Sequence, residues 1–274
     1  MTGTLYVVAT PIGNLADASA RAIETLRGAD LVACEDTRTS RTLLAHYGIS
    51  ARTVALHEHN ERSTTKTLLD ALRAGKNVAL VSDAGTPALA DPGAWLVAQA
   101  HRAGIRVRPL PGPSAAAAAI SASGFAASRF LFAGFLPAQR GARRKALEAL
   151  DVPWPLVLYE APHRVRETLE DLLARFGPER DIVLARELSK KFEEVARMAL
   201  GNASDWLAQP HREQGEFVLV LAAGEERAAE SVDAERVLDV LLEALPPSEA
   251  AKLAARITGV PKNQLYRKAL ERAK

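Results

Sequence analysis

The sequence predicts an α/β protein built as two halves with a short helical appendage. Three observations carry this reading. Short apolar, β-rich runs alternate with helical patterns through most of the chain, the rigid run Pro109-Leu110-Pro111-Gly112-Pro113 interrupts that alternation at mid-chain, and after Gly224 only helical patterns remain. A chain of 274 residues is long enough for more than one domain of ordinary size. The expected division is an N-terminal α/β domain over 1–112, a C-terminal α/β domain over 113–228 and a helical, basic tail over 229–274.

In the first half, strands are expected at Leu5–Ala9, Leu31–Cys34, Val54–Leu56, Val78–Val81 and Ile105–Leu110. Helical patterns separate them at Ala20–Leu26, Thr39–Tyr47, Thr64–Ala74 and Ala94–Ala103. Strands buried on both faces read as continuous apolar runs, so the pattern predicts a largely parallel sheet. The second half repeats the theme, with strands expected at Phe130–Phe135, Leu156–Tyr159, Ile182–Ala185 and Phe217–Leu221. Its helices fall on the alanine-rich stretch after Pro113 and on Val165–Phe176. In the tail, Val237, Leu238, Leu241, Leu242 and Leu245 form an apolar stripe that Pro246-Pro247 stops, and Ser248 is the expected N-cap of the next helix with Glu249 in its first turn. A third helix begins near Pro261. With Gly259 at the turn, Glu249 to Leu270 reads as a helix-turn-helix-like element, or as helices that merely cap the body.

Composition narrows the function classes. Hydrophobic residues at 48% and charged residues at 25% exclude a disordered, collagen-like or coiled-coil chain. A single cysteine, Cys34, excludes an internal disulfide and a cysteine metal cluster, and points to a reducing, cytoplasmic compartment. The first nine residues lack a basic segment followed by an apolar one, and no run of about 18 apolar residues occurs, so neither secretion nor a membrane span is expected. The formal net charge of +2 hides an asymmetry: from Lys252 to Lys274 seven Lys or Arg face one acid, Glu271, which leaves the rest of the chain at −4. A basic tail on a mildly acidic body suits a polyanion.

Three loops leave strands at their C-terminal ends, where open α/β sheets bind ligands. They are Ala9 to Leu15, Ser82 to Pro87 with its continuation Asp91-Pro92-Gly93, and Pro111 to Ala115. Small residues there let a ligand approach backbone N–H groups with no Cβ in the way. The chain lacks G-x-x-x-x-G-K-[ST] and a G-x-G-x-x-G after its first strand, which disfavours a P-loop NTPase and an ordinary NAD dehydrogenase. Asp83, at the end of a buried strand, could bind a ribose hydroxyl or an amino group, or could cap a helix.

Polar clusters gather at the same strand ends: Glu35-Asp36-Thr37-Arg38, His57 to Glu61, Tyr159 to Arg164, and Arg186 to Glu194. Arginine and lysine there suit an anionic substrate, and carboxylates suit proton transfer. His57 and His59 with Glu61 have poor metal-ligand spacing, and no G-x-S-x-G elbow supports nucleophilic hydrolysis. Arg140, Arg143, Arg144 and Lys145 form a basic stretch, with no acid from Arg129 to Lys145, that suits a nucleic-acid backbone.

Taken in order, Ala9 to Leu15, Glu35 to Arg38, His57 to Glu61, Ser82 to Pro87, Asp91 to Gly93, Pro111 to Ser114, Tyr159 to Arg164 and Ala185 to Lys190 closely resemble the small-subunit ribosomal RNA methyltransferase I family of the tetrapyrrole-methylase superfamily. The resemblance spans about Leu5 to Leu221. It departs at Ala18-Ser19 and at Ser189, conservatively in each case. It implies two α/β domains with S-adenosyl-L-methionine in the cleft between them, 2′-O-methylation of a cytidine in the decoding region of small-subunit (16S) rRNA, and a homodimer. Carried over by motif, Pro11, Ile12, Gly13, Asp83, Ala84, Gly85, Thr86, Pro113, Ser114 and Ala115 would line the cofactor site from one side, and Tyr159, Ala185, Glu216 and Phe217 from the other. Lys190 or Arg186 would stabilise the developing oxyanion, and Glu35, Asp36 or Glu160 would take or relay the proton; no metal is required. Arg38, His163 and Arg164 would join the basic stretch in contacting RNA. Two other readings share the fold: a methylase of a tetrapyrrole or another small molecule, against which the basic segments argue, and a non-catalytic RNA-binding assembly factor, which would have no need of the cofactor.

Overall fold

The computed structural model describes residues 2–224 and 234–272, and the chain divides into two compact units, Met1–Ala222 and Ala223–Lys274. The expected boundary at 228/229 lies outside the described residues.

The first unit opens with β1 (Thr4–Val8), α1 (Ala20–Arg27), β2 (Leu31–Cys34), α2 (Thr37–His46), β3 (Arg52–Ala55), α3 (Glu61–Arg73), β4 (Val78–Leu80), α4 (Ala94–Arg102) and β5 (Arg106–Leu110). The strands form one parallel sheet in the order β3-β2-β4-β1-β5. Alternate strand residues feed two cores. Leu5, Ala33 and Leu80 meet Leu68 and Leu72 of α3 and Leu96 of α4 on one face, while Val8, Val32 and Ala79 meet Leu26 of α1 and Leu44 of α2 on the other. The chain therefore leaves β1 and the adjacent β4 toward opposite faces, and such a switch point opens a crevice at the C-terminal strand ends. Pro109, expected in a linker, lies inside β5; β5 is an edge strand, where a missing N–H is tolerated.

The rest of the unit contains α5 (Ala115–Ala122), β6 (Leu131–Phe135), α6 (Arg140–Glu148), β7 (Leu156–Glu160), α7 (Val165–Phe176), β8 (Asp181–Arg186), β9 (Glu194–Ala199), α8 (Ala203–Leu207) and β10 (Phe217–Leu221). This second sheet is mixed rather than largely parallel: in the order β6-β7-β10-β8-β9 the β6–β7 pairing is parallel and the other three are antiparallel. Leu156, Leu158, Leu184 and Leu219 face α6 and α7, whereas Val157, Val183, Val218 and Val220 face α5.

The second unit holds α9 (Ala234–Leu242), α10 (Pro247–Thr258) and α11 (Lys262–Arg272) around Leu238, Ala250, Ala251, Ala254, Leu265 and Ala269. Gly259 ends α10 at φ 74°, a left-handed position that glycine occupies freely. The N-cap of α10 is Pro246, not Ser248: Pro247 takes the first helical position, where its missing N–H costs nothing. Among the described residues no helix is long and apolar enough to cross a membrane.

One buried ion cluster fastens α6 to α7. Asp171 is enclosed, accepting from Arg143 Nε at 2.7 Å, Arg144 Nε at 2.7 Å and Arg140 Nε at 3.2 Å, and Arg143, itself 0% exposed, also reaches Glu167 at 3.0 Å. Burial alone would raise the Asp171 carboxyl, but the Arg144, Arg143 and Arg140 hydrogen bonds override it and hold it below its ordinary 3.8. A carboxyl depressed on folding contributes stability above its unfolded value and loses it as pH falls toward the folded one. Asp171→Ala is therefore expected to cost about 3–5 kcal/mol at pH 7, because it strands a buried guanidinium. In urea titrations the gap between wild type and variant should be full at pH 7 and shrink as pH falls below about 4.

Candidate functional site

Hydrogen bonds tie the three strand-end loops of the first sheet together. Thr10 and Gly85 form an isolated antiparallel bridge, with Thr10 N donating to Gly85 O at 2.8 Å and Gly85 N to Thr10 O at 3.0 Å. Thr10 Oγ1 also donates to Ser82 O at 3.0 Å, and Thr86 Oγ1 donates to Pro113 O at 3.1 Å, which joins the third loop. Gly85 sits at φ 79°, a left-handed position that glycine occupies freely. The segment between Thr86 and α4 holds two non-glycine residues in the left-handed region, Ala88 (φ 65°) and Ala90 (φ 98°). Its far end is fixed by Glu61, whose Oε1 accepts from Gly93 N at 2.8 Å and Trp95 N at 3.1 Å and so caps α4.

The opposite wall comes from the second sheet. Tyr159, at the end of β7, accepts from Ala116 N at 3.2 Å and stacks edge-on with Phe132 and Phe135, 4.9 and 5.6 Å between ring centres. Ala185 of β8 and Glu216 to Val218 at the start of β10 lie beside it, as their pairing register requires.

A cavity of about 420 Å³ lies between these walls. Of the residues expected around the cofactor, Ile12, Asp83, Ala84, Gly85, Thr86, Ser114, Ala115, Tyr159, Ala185, Glu216 and Phe217 line it. Pro11 and Gly13 line a neighbouring cavity of about 400 Å³, which shares Ile12, Asp83 and Ala84 with the first and extends to Thr39 and Ser40 of α2. Pro113 takes part through its carbonyl. The main cavity also includes Leu89, Ala90, Asp91, Phe135 and His163. Sequence reasoning gave none of the first four a role, although Asp91 lies in a noted motif and Phe135 ends a recognised strand.

The acidic groups differ sharply in character. Asp36 is pulled down to about 2 by hydrogen bonds from the Arg38 side chain and backbone, and its own N–H donates to Asp83 Oδ1 at 3.1 Å. Glu35 is raised by burial and then by Asp91, Asp83 and Asp36 nearby. Asp91 is likewise raised by burial, with Asp83 adding to the shift against a Ser82 hydrogen bond. Glu160 is 2% exposed and fully engaged: Oε2 accepts from Thr168 Oγ1 at 2.6 Å, and Oε1 accepts from Ala161 N at 2.8 Å.

The expected cations are placed less as a catalytic set than as braces. Lys190 Nζ donates to Glu187 at 2.8 Å and Glu216 at 2.7 Å, and its stem runs where a Cβ on Gly13 would stand, 2.4 Å from Lys190 Cγ. Burial would lower this ammonium, but the two carboxylates hold it above its ordinary value. Arg186 is buried and donates to Gln214 O at 3.2 Å. Arg164 donates to Leu136 O at 2.6 Å, which joins the ends of β6 and β7. Arg143 points into the protein, a correction to its expected place at an RNA surface: Asp171, distant in sequence, draws it inward. Arg140 and Arg144 are half-exposed while pairing with Asp171, whereas Lys145, His163 and Arg38 are exposed.

Comparison with known proteins agrees with this geometry. Residues 4–204 match the family model of tetrapyrrole (corrin/porphyrin) methylases, and residues 228–273 match that of the RsmI C-terminal HTH domain. The chain is 52% identical to ribosomal RNA small subunit methyltransferase I of Pseudomonas aeruginosa, covering 98% of each chain. It is 49% identical to the protein of that name in Escherichia coli O157:H7, covering 98% of this chain and 95% of that one. A uroporphyrin-III C-methyltransferase from Thermus thermophilus, solved in complex with S-adenyl homocysteine, shares the fold with a TM-score of 0.55 at 19% identity, over 80% of this chain and 97% of that one. The chain thus belongs to the tetrapyrrole (corrin/porphyrin) methylase family, in the branch whose curated members are named ribosomal RNA small subunit methyltransferase I.

Proposed function

We propose that the protein transfers a methyl group from S-adenosyl-L-methionine to the 2′-hydroxyl of a cytidine ribose in the decoding region of 16S rRNA, in the cytoplasm and as a homodimer. The observation that carries the cofactor is the charge of the cavity. Among the described residues its wall includes Asp83 and Asp91, besides Glu160 and Glu216, which pair with Arg164 and Lys190 behind the wall, and no lysine or arginine of its own. Such a wall repels a nucleoside polyphosphate and suits a ligand that carries an ammonium and a sulfonium beside a ribose. Small residues (Ala84, Gly85, Ala115 and Ala185) leave room for it, and Tyr159 adds an aromatic ring to the wall. The names of the relatives support rRNA as the acceptor.

When bound, S-adenosyl-L-methionine supplies a methyl group already activated on sulfur. The chain's part is alignment: the bridged loops and Tyr159 fix one reactant so that the hydroxyl can approach in line, which removes much of the entropic barrier. Of the carboxylates offered for the proton, Asp36 at about 2 is a weak base and Glu160 has both oxygens occupied. Glu35 is raised by burial but lines neither cavity, so the set offers no unengaged carboxylate in the cavity wall. Arg38, Arg140, Arg144, Lys145 and His163, with Lys252, Arg256, Lys262 and Arg267 of the helical unit, supply exposed cationic or polar groups for the phosphate backbone.

The test is transfer of labelled methyl from S-adenosyl-L-methionine to small ribosomal subunits that lack modifications, followed by nuclease digestion and mass analysis. The expected product is 2′-O-methylcytidine; label on a base, or none in RNA despite cofactor binding, contradicts the reading.

Lys190 gives a second test. Bound between Glu187 and Glu216, it positions Glu216 in the cavity wall, so Lys190→Met should weaken S-adenosyl-L-methionine binding about tenfold, the effect of losing one charge-assisted hydrogen bond. Calorimetry and kcat should show the loss in affinity with kcat held within a few-fold. A collapse of kcat at unchanged affinity would instead restore the lysine to direct stabilisation of the oxyanion.

A further inference from the structure

The cavity wall includes two exposed apolar side chains, Phe135 (55% exposed) and Leu89 (48% exposed), and the fold departs from regularity to put both there. In β6, Phe132 pairs with Val157 but Gly134 pairs with Leu158, so one extra residue is inserted. Without that bulge the strict alternation of a strand would turn Phe135 toward α7, on the face of Leu131 and Ala133. The insertion leaves Ala133 unpaired beside Gly134 at φ 62°, sets Phe135 opposite Tyr159 and turns its ring into the cleft. Across the cavity, Leu89 is held between Ala88 and Ala90, both in the left-handed region that favours glycine. A Cβ on Gly134 would stand 3.8 Å from the Ala90 Cβ, so the two rims meet at one mouth.

Resting on the function proposed above, we infer that Phe135 and Leu89 are the jaws that hold the acceptor nucleobase. A single-stranded nucleotide presents a flat apolar face that stacks on an aromatic ring, and an edge that seeks hydrogen bonds. Phe135 supplies the ring and Leu89 the opposing apolar contact. Asp91 and His163, in the same wall, supply polar groups. Stacking the base at the mouth leaves its ribose directed into the cavity, toward the cofactor.

The full-length enzyme tests this with Phe135→Leu, Phe135→Tyr and Leu89→Ala. Phe135 is half in solvent, so its replacement leaves the cores intact. Initial rates on unmodified small subunits are compared with calorimetric binding of S-adenosyl-L-methionine and with sedimentation. Phe135→Leu should lower kcat/KM for the subunit about 10- to 100-fold, mainly through KM, the range for loss of one base stack. Leu89→Ala should do so by a smaller factor, Phe135→Tyr should stay near wild type, and cofactor affinity should hold within twofold in all three. An unchanged kcat/KM in Phe135→Leu overturns the clamp while the methyltransferase reading stands. So does a parallel loss of cofactor affinity, which would assign the ring to the cofactor, or a change in oligomeric state, which would assign it to a second copy of the chain. Failure of the wild type to methylate rRNA overturns the reading and the clamp together.

Discussion

The backbone pairing of Thr10 with Gly85 is the contact on which the cleft depends. Two strands that are neighbours in the sheet send their chains to opposite faces, so their C-terminal ends diverge and open a crevice. An unsupported crevice of this kind would be two mobile loops. The bridge joins them by two backbone hydrogen bonds, and Thr10 Oγ1 on Ser82 O and Thr86 Oγ1 on Pro113 O extend the join to all three loops. Residues scattered from 10 to 115 thereby become one wall.

Strain and restraint are paired on both sides of the cleft. On one side Ala88 and Ala90, and on the other Glu187 (φ 53°) and Ser189 (φ 68°), occupy the left-handed region at a cost on the order of 1 kcal/mol each. The first pair is bracketed by the Thr86–Pro113 hydrogen bond and the Glu61 cap on Gly93 and Trp95. In the second, Glu187 N donates to Glu216 O at 2.9 Å, Ser189 N to Glu193 Oε2 at 2.6 Å, and Lys190 N to Glu187 O at 3.0 Å. The ion pairs of Lys190 add to this brace, and the Ser189 hydroxyl reaches the Asp17 carboxylate of the first half. Backbone held against its preference beside a cavity is characteristic of a ligand site.

Much of this was legible in the sequence. Parallel strands buried on both faces, such as Leu31–Cys34 and Val78–Leu80, show as apolar runs because every residue is inside. The small-residue loops at their ends marked the site, since only glycine or alanine admits such close approach. What escaped notice was set by distant partners or by local irregularity. β9 gives no apolar run to recognise, because at the sheet edge none of its residues from Glu194 to Ala199 is fully inside. Arg143 looked like a surface cation because nothing near it in sequence announces Asp171, and Lys190 looked free because Glu216 comes 26 residues later. The bulge that turns Phe135 into the cleft follows from pairing with β7, and no periodicity in β6 alone reveals it.

In the function proposed above, the cavity between Thr86 and Tyr159 holds the cofactor. The most direct test of this is a crystal structure of the protein with S-adenosylhomocysteine. The ligand is expected against Asp83, Thr86, Tyr159 and Ala185, with the amino-acid and ribose groups meeting the acidic wall and the mouth at Phe135 and Leu89 left open. Density instead in the neighbouring cavity lined by Thr39 and Ser40, or across the Phe135 ring, would contradict it.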